Sequence, residues 1–229
     1  MDKRINYRIV LDTETCPLDK DFERVSPYNM LVYDVGYAIV DKRGNVYRTR
    51  SFVNADVYLG EKTLMKSAYY AKKLPQYEKE IKSGQRKLAS MYTIRKTLFD
   101  DMREYNVKEV YAHNMRFDYD SLNNTQRYIT KSKFRFFFPY GTEICDTLRM
   151  ARDVIACMPT YKKYCAENGY LTKRGQPRLT AEIIYRFITG DEDFKESHTG
   201  LEDVMIEKDI LAYCFAKHKK MNRLCFARG

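Results

Sequence analysis

Ile9-Val10-Leu11-Asp12-Thr13-Glu14-Thr15 is the stretch on which the fold turns. An apolar run ends on two carboxylates spaced i, i+2, and a turn follows at Cys16-Pro17. On a strand that spacing puts Asp12 and Glu14 on one face. Two acids there repel each other unless a cation sits between them. A hard divalent ion such as Mg²⁺ is the usual partner, because it takes carboxylate oxygens and keeps waters for a substrate. The other reading is a strand end whose acids are simply solvated.

Working outward, residues 7–11 read as a buried strand that delivers Asp12 to the edge of a sheet. Residues 16–31, with Pro17 and Pro27, read as a loop. Residues 32–40 and 46–53 are rich in β-branched and aromatic side chains and form two more strands, with a hairpin loop at 41–45. Residues 61–105 read as helical, in two pieces broken near Ser83-Gly84. Leu64, Ala68 and Ala71, then Ile94, Leu98 and Met102, recur at helical spacing. Lysines and arginines cover the other side, among them Lys72, Lys73, Arg86 and Lys87. That side is either a solvated face or a surface that tracks phosphates.

A short strand at 107–112 leads to a helix at 115–128, with Asn114 as its N-cap. Another strand ends at 144–146 and passes into a helix at 147–157. Residues 169–178 are a basic, turn-rich excursion, 182–188 are helical, and a last helix runs from 201 to about 219. Three strands followed by alternating helices and strands give an α/β fold around one mixed, five-stranded sheet.

The chain has 229 residues and a formal net charge of +10, which fits one domain over residues 1–229 and a polyanionic partner, nucleic acid first. Its six cysteines lack CxxC spacing, which argues against a zinc ribbon and a disulfide scaffold. There is no signal peptide and no apolar run long enough to span a membrane, so a soluble, cytoplasmic protein is expected.

Further acids fall where strands end and helices begin. Asp118 lies one turn into the helix after Ala112-His113-Asn114, and Asp203 lies in the first turn of the last helix. His198 precedes that helix in Ser197-His198-Thr199-Gly200. Open α/β sheets build their sites at such strand ends. Pooling Asp12, Glu14, Asp118 and Asp203 there calls for cations, and two divalent ions about 3.5–4 Å apart would serve. Such a pair would activate water on one side of a phosphodiester and stabilise the leaving oxygen on the other. His198 would be positioned as a general base.

Three segments together resemble the exonuclease motifs of the DEDD superfamily. They are Leu11-Asp12-Thr13-Glu14-Thr15, then Ala112-His113-Asn114-Met115-Arg116-Phe117-Asp118, then His198-Thr199-Gly200-Leu201-Glu202-Asp203. The histidine subtype, typified by DnaQ-like proofreading exonucleases, is the most similar, because position 199 is threonine rather than the tyrosine of the other subtype. The resemblance implies a ribonuclease H-like fold and stepwise 3′→5′ removal of nucleotides with two Mg²⁺ or Mn²⁺ ions. It implies Asp12 as the ligand shared by the ions, Glu14 and Asp203 completing the water-activating site, Asp118 serving the other ion, and His198 as base. Asn114 and Phe117 would shape the floor under the 3′ end, and Thr15 would hold the terminal nucleotide.

The expected activity is thus a 3′→5′ exonuclease on single-stranded or frayed nucleic acid, with DNA favoured over RNA. The alternatives are an inactive nucleic-acid-binding module of the same fold and an RNA-trimming exoribonuclease. A polymerase or replication partner is compatible with the resemblance, although no clamp- or polymerase-binding segment is visible. Two stretches, 57–105 (helical and basic) and 158–190, fall outside the motifs. Two departures stand out. Gly200 replaces the usual alanine and is expected at most to loosen the loop. Glu207, one turn after Asp203, is expected to pair with a lysine rather than join the outer shell of a metal site.

Overall fold

A computed structural model describes residue 2, residues 4–18 and residues 26–226. Residues 19–25 of the expected 16–31 loop lie outside the described residues. The strands are β1 (Arg8–Pro17), β2 (Met30–Val40), β3 (Val46–Asn54), β4 (Lys87–Ala89), β5 (Glu109–Ala112) and β6 (Glu143–Asp146). They form one six-stranded mixed sheet in the order β4-β3-β2-β1-β5-β6. β1, β2 and β3 are the antiparallel meander, and β4, β5 and β6 join it in parallel.

The helices among the described residues are α1 (Ala55–Tyr58), α2 (Lys62–Met65), α3 (Leu74–Ser83), α4 (Met91–Glu104), α5 (Met115–Thr130), α6 (Thr147–Val154), α7 (Pro159–Glu167), α8 (Ala181–Thr189) and α9 (Gly200–Ala216). α4 and α5 cover one face of the sheet, while α6, α8 and α9 cover the other. β1 lies inside the sheet and is buried on both faces, which is why it reads as a continuous apolar run. Ile9 and Leu11 enter the core beneath α4 and α5, and Val10 enters the opposite core beneath α9. Each such side chain contributes about 1.5–3 kcal/mol by burial, so the register that puts Asp12 and Glu14 on one face of β1 is firmly set.

The sheet has one strand more than the sequence suggested. The extra strand, β4, lies inside the tract read as helical. Three residues are too short for any periodicity to show, and Gly84, at φ +78°, ends α3 and redirects the chain into it.

The same tract holds a larger departure. Arg86, expected on a basic outer face, is only 1% exposed. Its guanidinium contacts both oxygens of the fully buried Asp34 at 3.0 and 3.2 Å, Glu80 through Nε, and Glu202 at 2.7 Å. Tyr77 donates its hydroxyl to Asp34 at 2.6 Å, and the Gly200 N–H reaches the same carboxylate at 3.0 Å. Asp34 belongs to β2, Glu80 and Tyr77 to α3, and Glu202 and Gly200 to α9. One arginine therefore ties the insertion to the strand beside β1 and to the start of the last helix.

The start of α9 is pressed against β2. A Cβ on Gly200 would sit 2.7 Å from the Gly36 backbone nitrogen, and one on Gly36 would collide with the Gly200 carbonyl carbon. Gly200 is thus a close-packing position, not a point of looseness as its departure from alanine suggested.

Replacing Arg86 with methionine would leave Asp34 charged, buried and without its cation. Loss of one partner of a buried pair costs about 3–5 kcal/mol. Urea denaturation of Arg86→Met is expected to show a loss of that size, whereas Lys87→Met, on the exposed neighbour, should change stability by less than about 0.5 kcal/mol. Equal effects would contradict the assignment of Arg86 as the internal tie.

Candidate active site

β1 runs on past the boundary expected at residue 11, so Asp12 and Glu14 lie within the strand on one face, beyond its last pairing with β5 at Val10 and before a register shift between Glu14 and Thr15 in the pairing with β2. Asp203 comes from the first turn of α9. Carboxylate oxygens of Asp12, Glu14 and Asp203 lie within 4.8 Å of one another. Asp118, from α5, stands outside that group and reaches β1 at Thr13, whose hydroxyl its Oδ1 accepts at 2.7 Å. Asp120, two residues further along α5, instead faces Arg116 at 3.6 Å. Asp203 is held by the Ser197 hydroxyl at 3.2 Å and the Thr199 N–H at 3.0 Å.

Crowding has a uniform electrostatic effect. Desolvation, then the charges of Glu207, Asp118, Glu14 and Asp203, pushes Asp12 well above the carboxylate range. Glu14 is raised by desolvation and by Asp34 and Asp203, with Lys73 opposing. In Asp118 and Asp203 desolvation also raises the pKa, against the hydrogen bonds from Thr13 and Ser197 respectively. These donors are all hard oxygens, the set a divalent cation such as Mg²⁺ or Mn²⁺ prefers. The residues present fit such an ion.

His198 enters from the loop before α9, in the left-handed conformation at φ +51°. Its ring, with Glu196 and Asp203, forms a second group whose ligating atoms lie within 4.8 Å of one another. Nδ1 is 3.9 Å from Glu196. Tyr70 stacks on the imidazole at 4.5 Å with planes 13° apart, and Lys73 Nζ lies 3.4 Å from the His198 carbonyl oxygen. Both come from the segment joining α2 and α3. Desolvation, with Lys73 next in weight, lowers the His198 pKa, so the ring is neutral at pH 7 and free to accept a proton.

The remaining sequence candidates lie around this cleft. Thr15 is half-buried just past Glu14, Phe117 is half-buried, and Asn114 is exposed. Asn114 precedes α5 with φ +68° and makes no side-chain cap. Its backbone N–H instead donates to Asp146, which also caps α6 through Leu148. His113 is held between Thr147, 3.0 Å from Nδ1, and the Leu179 carbonyl, 2.7 Å from Nε2. That places it in a packing role.

Three contributors were missed or misread. Glu196 carries no motif beyond its nearness to His198. Tyr70 gave no sequence signal, because a stack across the fold leaves none in the local pattern. Among the described residues Glu207 pairs with no lysine: it is 3% exposed and lines a cavity of about 920 Å³ with Asp12, Asn114 and Glu196. Desolvation and the Asp118 charge raise its pKa strongly. Gln176, Pro177 and Arg178 form another wall of that cavity, which gives the otherwise unexplained 158–190 excursion a place at the cleft.

No protein-family model matches the sequence, and no curated protein does. Among solved structures, the chain is similar to a full-length 3′-exonuclease (TM-score 0.56, 11% identity, covering 96% of this chain and 85% of that one). It is similar to E. coli Exonuclease I in complex with a dT13 oligonucleotide (TM-score 0.54, 14% identity, 93% of this chain and 41% of that one). It is also similar to S. pombe Pop2p in its Mg²⁺- and Mn²⁺-bound form (TM-score 0.53, 12% identity, 94% and 85%). At these identities the likeness is one of fold: an α/β, ribonuclease H-like architecture shared with exonucleases.

Proposed function

We propose that the chain is a metal-dependent 3′→5′ exonuclease of the DEDD histidine subtype, acting on single-stranded or frayed ends, with DNA favoured. The observation that carries this reading is the convergence of Asp12, Glu14 and Asp203 oxygens within 4.8 Å, with Asp118 beside them, on a fold shared with exonucleases. A surface without a task has no reason to concentrate acids in this way, since each raises the cost of ionising the others.

Asp12, Glu14, Asp118 and Asp203 would hold two divalent cations, Mg²⁺ or Mn²⁺, which would supply water activation and charge neutralisation at the leaving oxygen. The chain's own groups do the positioning. Thr13 fixes the rotamer of Asp118, and Ser197 and Thr199 fix that of Asp203. Neutral His198 takes the proton from the attacking water, its ring held by the Tyr70 stack. The phosphorus–O3′ bond breaks, leaving a strand one nucleotide shorter with a 3′-hydroxyl and releasing a nucleoside 5′-monophosphate. Asn114 and Phe117 floor the 3′ terminus and Thr15 contacts its last nucleotide. Lys72 and Lys87, exposed on the insertion, remain available for phosphates further along the strand.

Incubating 5′-labelled DNA and RNA oligonucleotides with Mg²⁺ or Mn²⁺ is expected to give a ladder shortening from the 3′ end, faster on DNA. EDTA and Asp12→Ala should each abolish it. A ladder that persists in a clean Asp12→Ala preparation would exclude Asp12 as the shared ligand, and oligonucleotide binding without cleavage by the wild type would favour an inactive binding module.

His198→Ala is expected to lower kcat by roughly 10²–10⁴-fold with KM almost unchanged, as loss of a positioned general base does. A sharp rise in KM at nearly constant kcat would instead make His198 a substrate contact.

A further inference from the structure

Glu207 is a buried acid at the cleft that the proposed mechanism does not use. It sits on α9 one turn after Asp203 and therefore on the same side of that helix. The side chain is 3% exposed. It accepts the His113 backbone N–H, yet Oε2 has no hydrogen-bond partner. The charges that weigh most on it are acidic, those of Asp118, Asp203 and Glu196, with Asp12 feeling its charge in return. No Lys or Arg forms an ion pair with it among the described residues.

The contrast with Asp34 is instructive. Asp34 is just as deeply buried, and its oxygens are met by Arg86, Tyr77 and the Gly200 N–H. A buried carboxylate in a structural role is supplied with donors in this way. Glu207 has one oxygen anchored to the backbone at the end of β5 and the other left bare beside a cavity that Asp12 also lines. Glutamine or methionine would fill the same volume with no charge to bury.

We propose that Glu207 is a further cation ligand, a fifth carboxylate at the end of the cleft where Asp12 and Asp118 meet, taking a hard divalent ion through Oε2. The assignment rests on the metal-dependent reading above and extends it with a residue outside the three sequence motifs. Its chemical logic is that of an all-oxygen set. An additional carboxylate tightens a divalent site by adding charge, and the His113 N–H holds the ligand in one orientation before the ion arrives.

The test uses the full-length chain stripped with EDTA and titrated with Mn²⁺, with free ion followed by electron paramagnetic resonance. Wild type, Glu207→Gln, Glu207→Met and Asp12→Asn are compared. Wild type is expected to bind Mn²⁺, Asp12→Asn to lose most of that binding, and both Glu207 variants to weaken one class of ion by at least about tenfold. Melting in EDTA guards against misfolding, because both Glu207 variants should melt at or above the wild-type temperature once a buried charge is gone. Wild-type affinity and stoichiometry in both variants would overturn the role of Glu207 while leaving the metal-dependent reading intact. Failure of the wild type to bind Mn²⁺ at all would overturn both.

Discussion

The structure depends on one electrostatic constraint: Asp12, Glu14, Asp118, Asp203 and Glu207 crowd around the middle of a single strand, β1. β1 delivers two of these groups, α5 one and α9 two. Each group is desolvated by the elements that bring it there, and each makes its neighbours harder to ionise. A fold that accepts this does so against its own stability. The packing of β1 on both faces supplies the rigid base from which the acids cannot back away.

The chain neutralises buried charge where the role is architectural. Arg86 meets Asp34, Glu80 and Glu202 in one junction, so the insertion between β3 and α4 is bound to β2 and to the first turn of α9. Glu202 is the residue before Asp203. The junction therefore fixes the helix start that carries Asp203, and the same segment sends Tyr70 onto His198. Gly36 and Gly200 allow the backbones to approach closely enough for this. What looked like an appendage to the core is the clamp on one side of the cleft.

Much of this was legible in the sequence, because it rests on local pattern. The i, i+2 acids, the meander, and the helices carrying Asp118 and Asp203 follow from periodicity and from strand-to-helix boundaries. What stayed hidden depends on partners far along the chain. Arg86 looks like its basic neighbours, and only the Asp34 carboxylate across the sheet edge distinguishes it. β4 has three residues and borrows its identity from β3. Glu207 was visibly on the Asp203 side of its helix, yet whether a lysine faced it was a tertiary question, answered by His113 and the acids of the cleft. Asn114 does stand at the N-cap of α5, but in the left-handed conformation its side chain makes no cap bond, while its backbone N–H donates to Asp146 of β6.

The central claim is that this acidic junction exists to hold divalent cations. Anomalous diffraction at the manganese edge, from crystals of the full chain grown with Mn²⁺, tests it most directly. The account predicts anomalous density between Asp12, Glu14 and Asp203 and a second peak on the Asp118 side of Asp12. Well-ordered carboxylates with no manganese among them, at an ion concentration in the millimolar range typical of weak divalent sites, would contradict it.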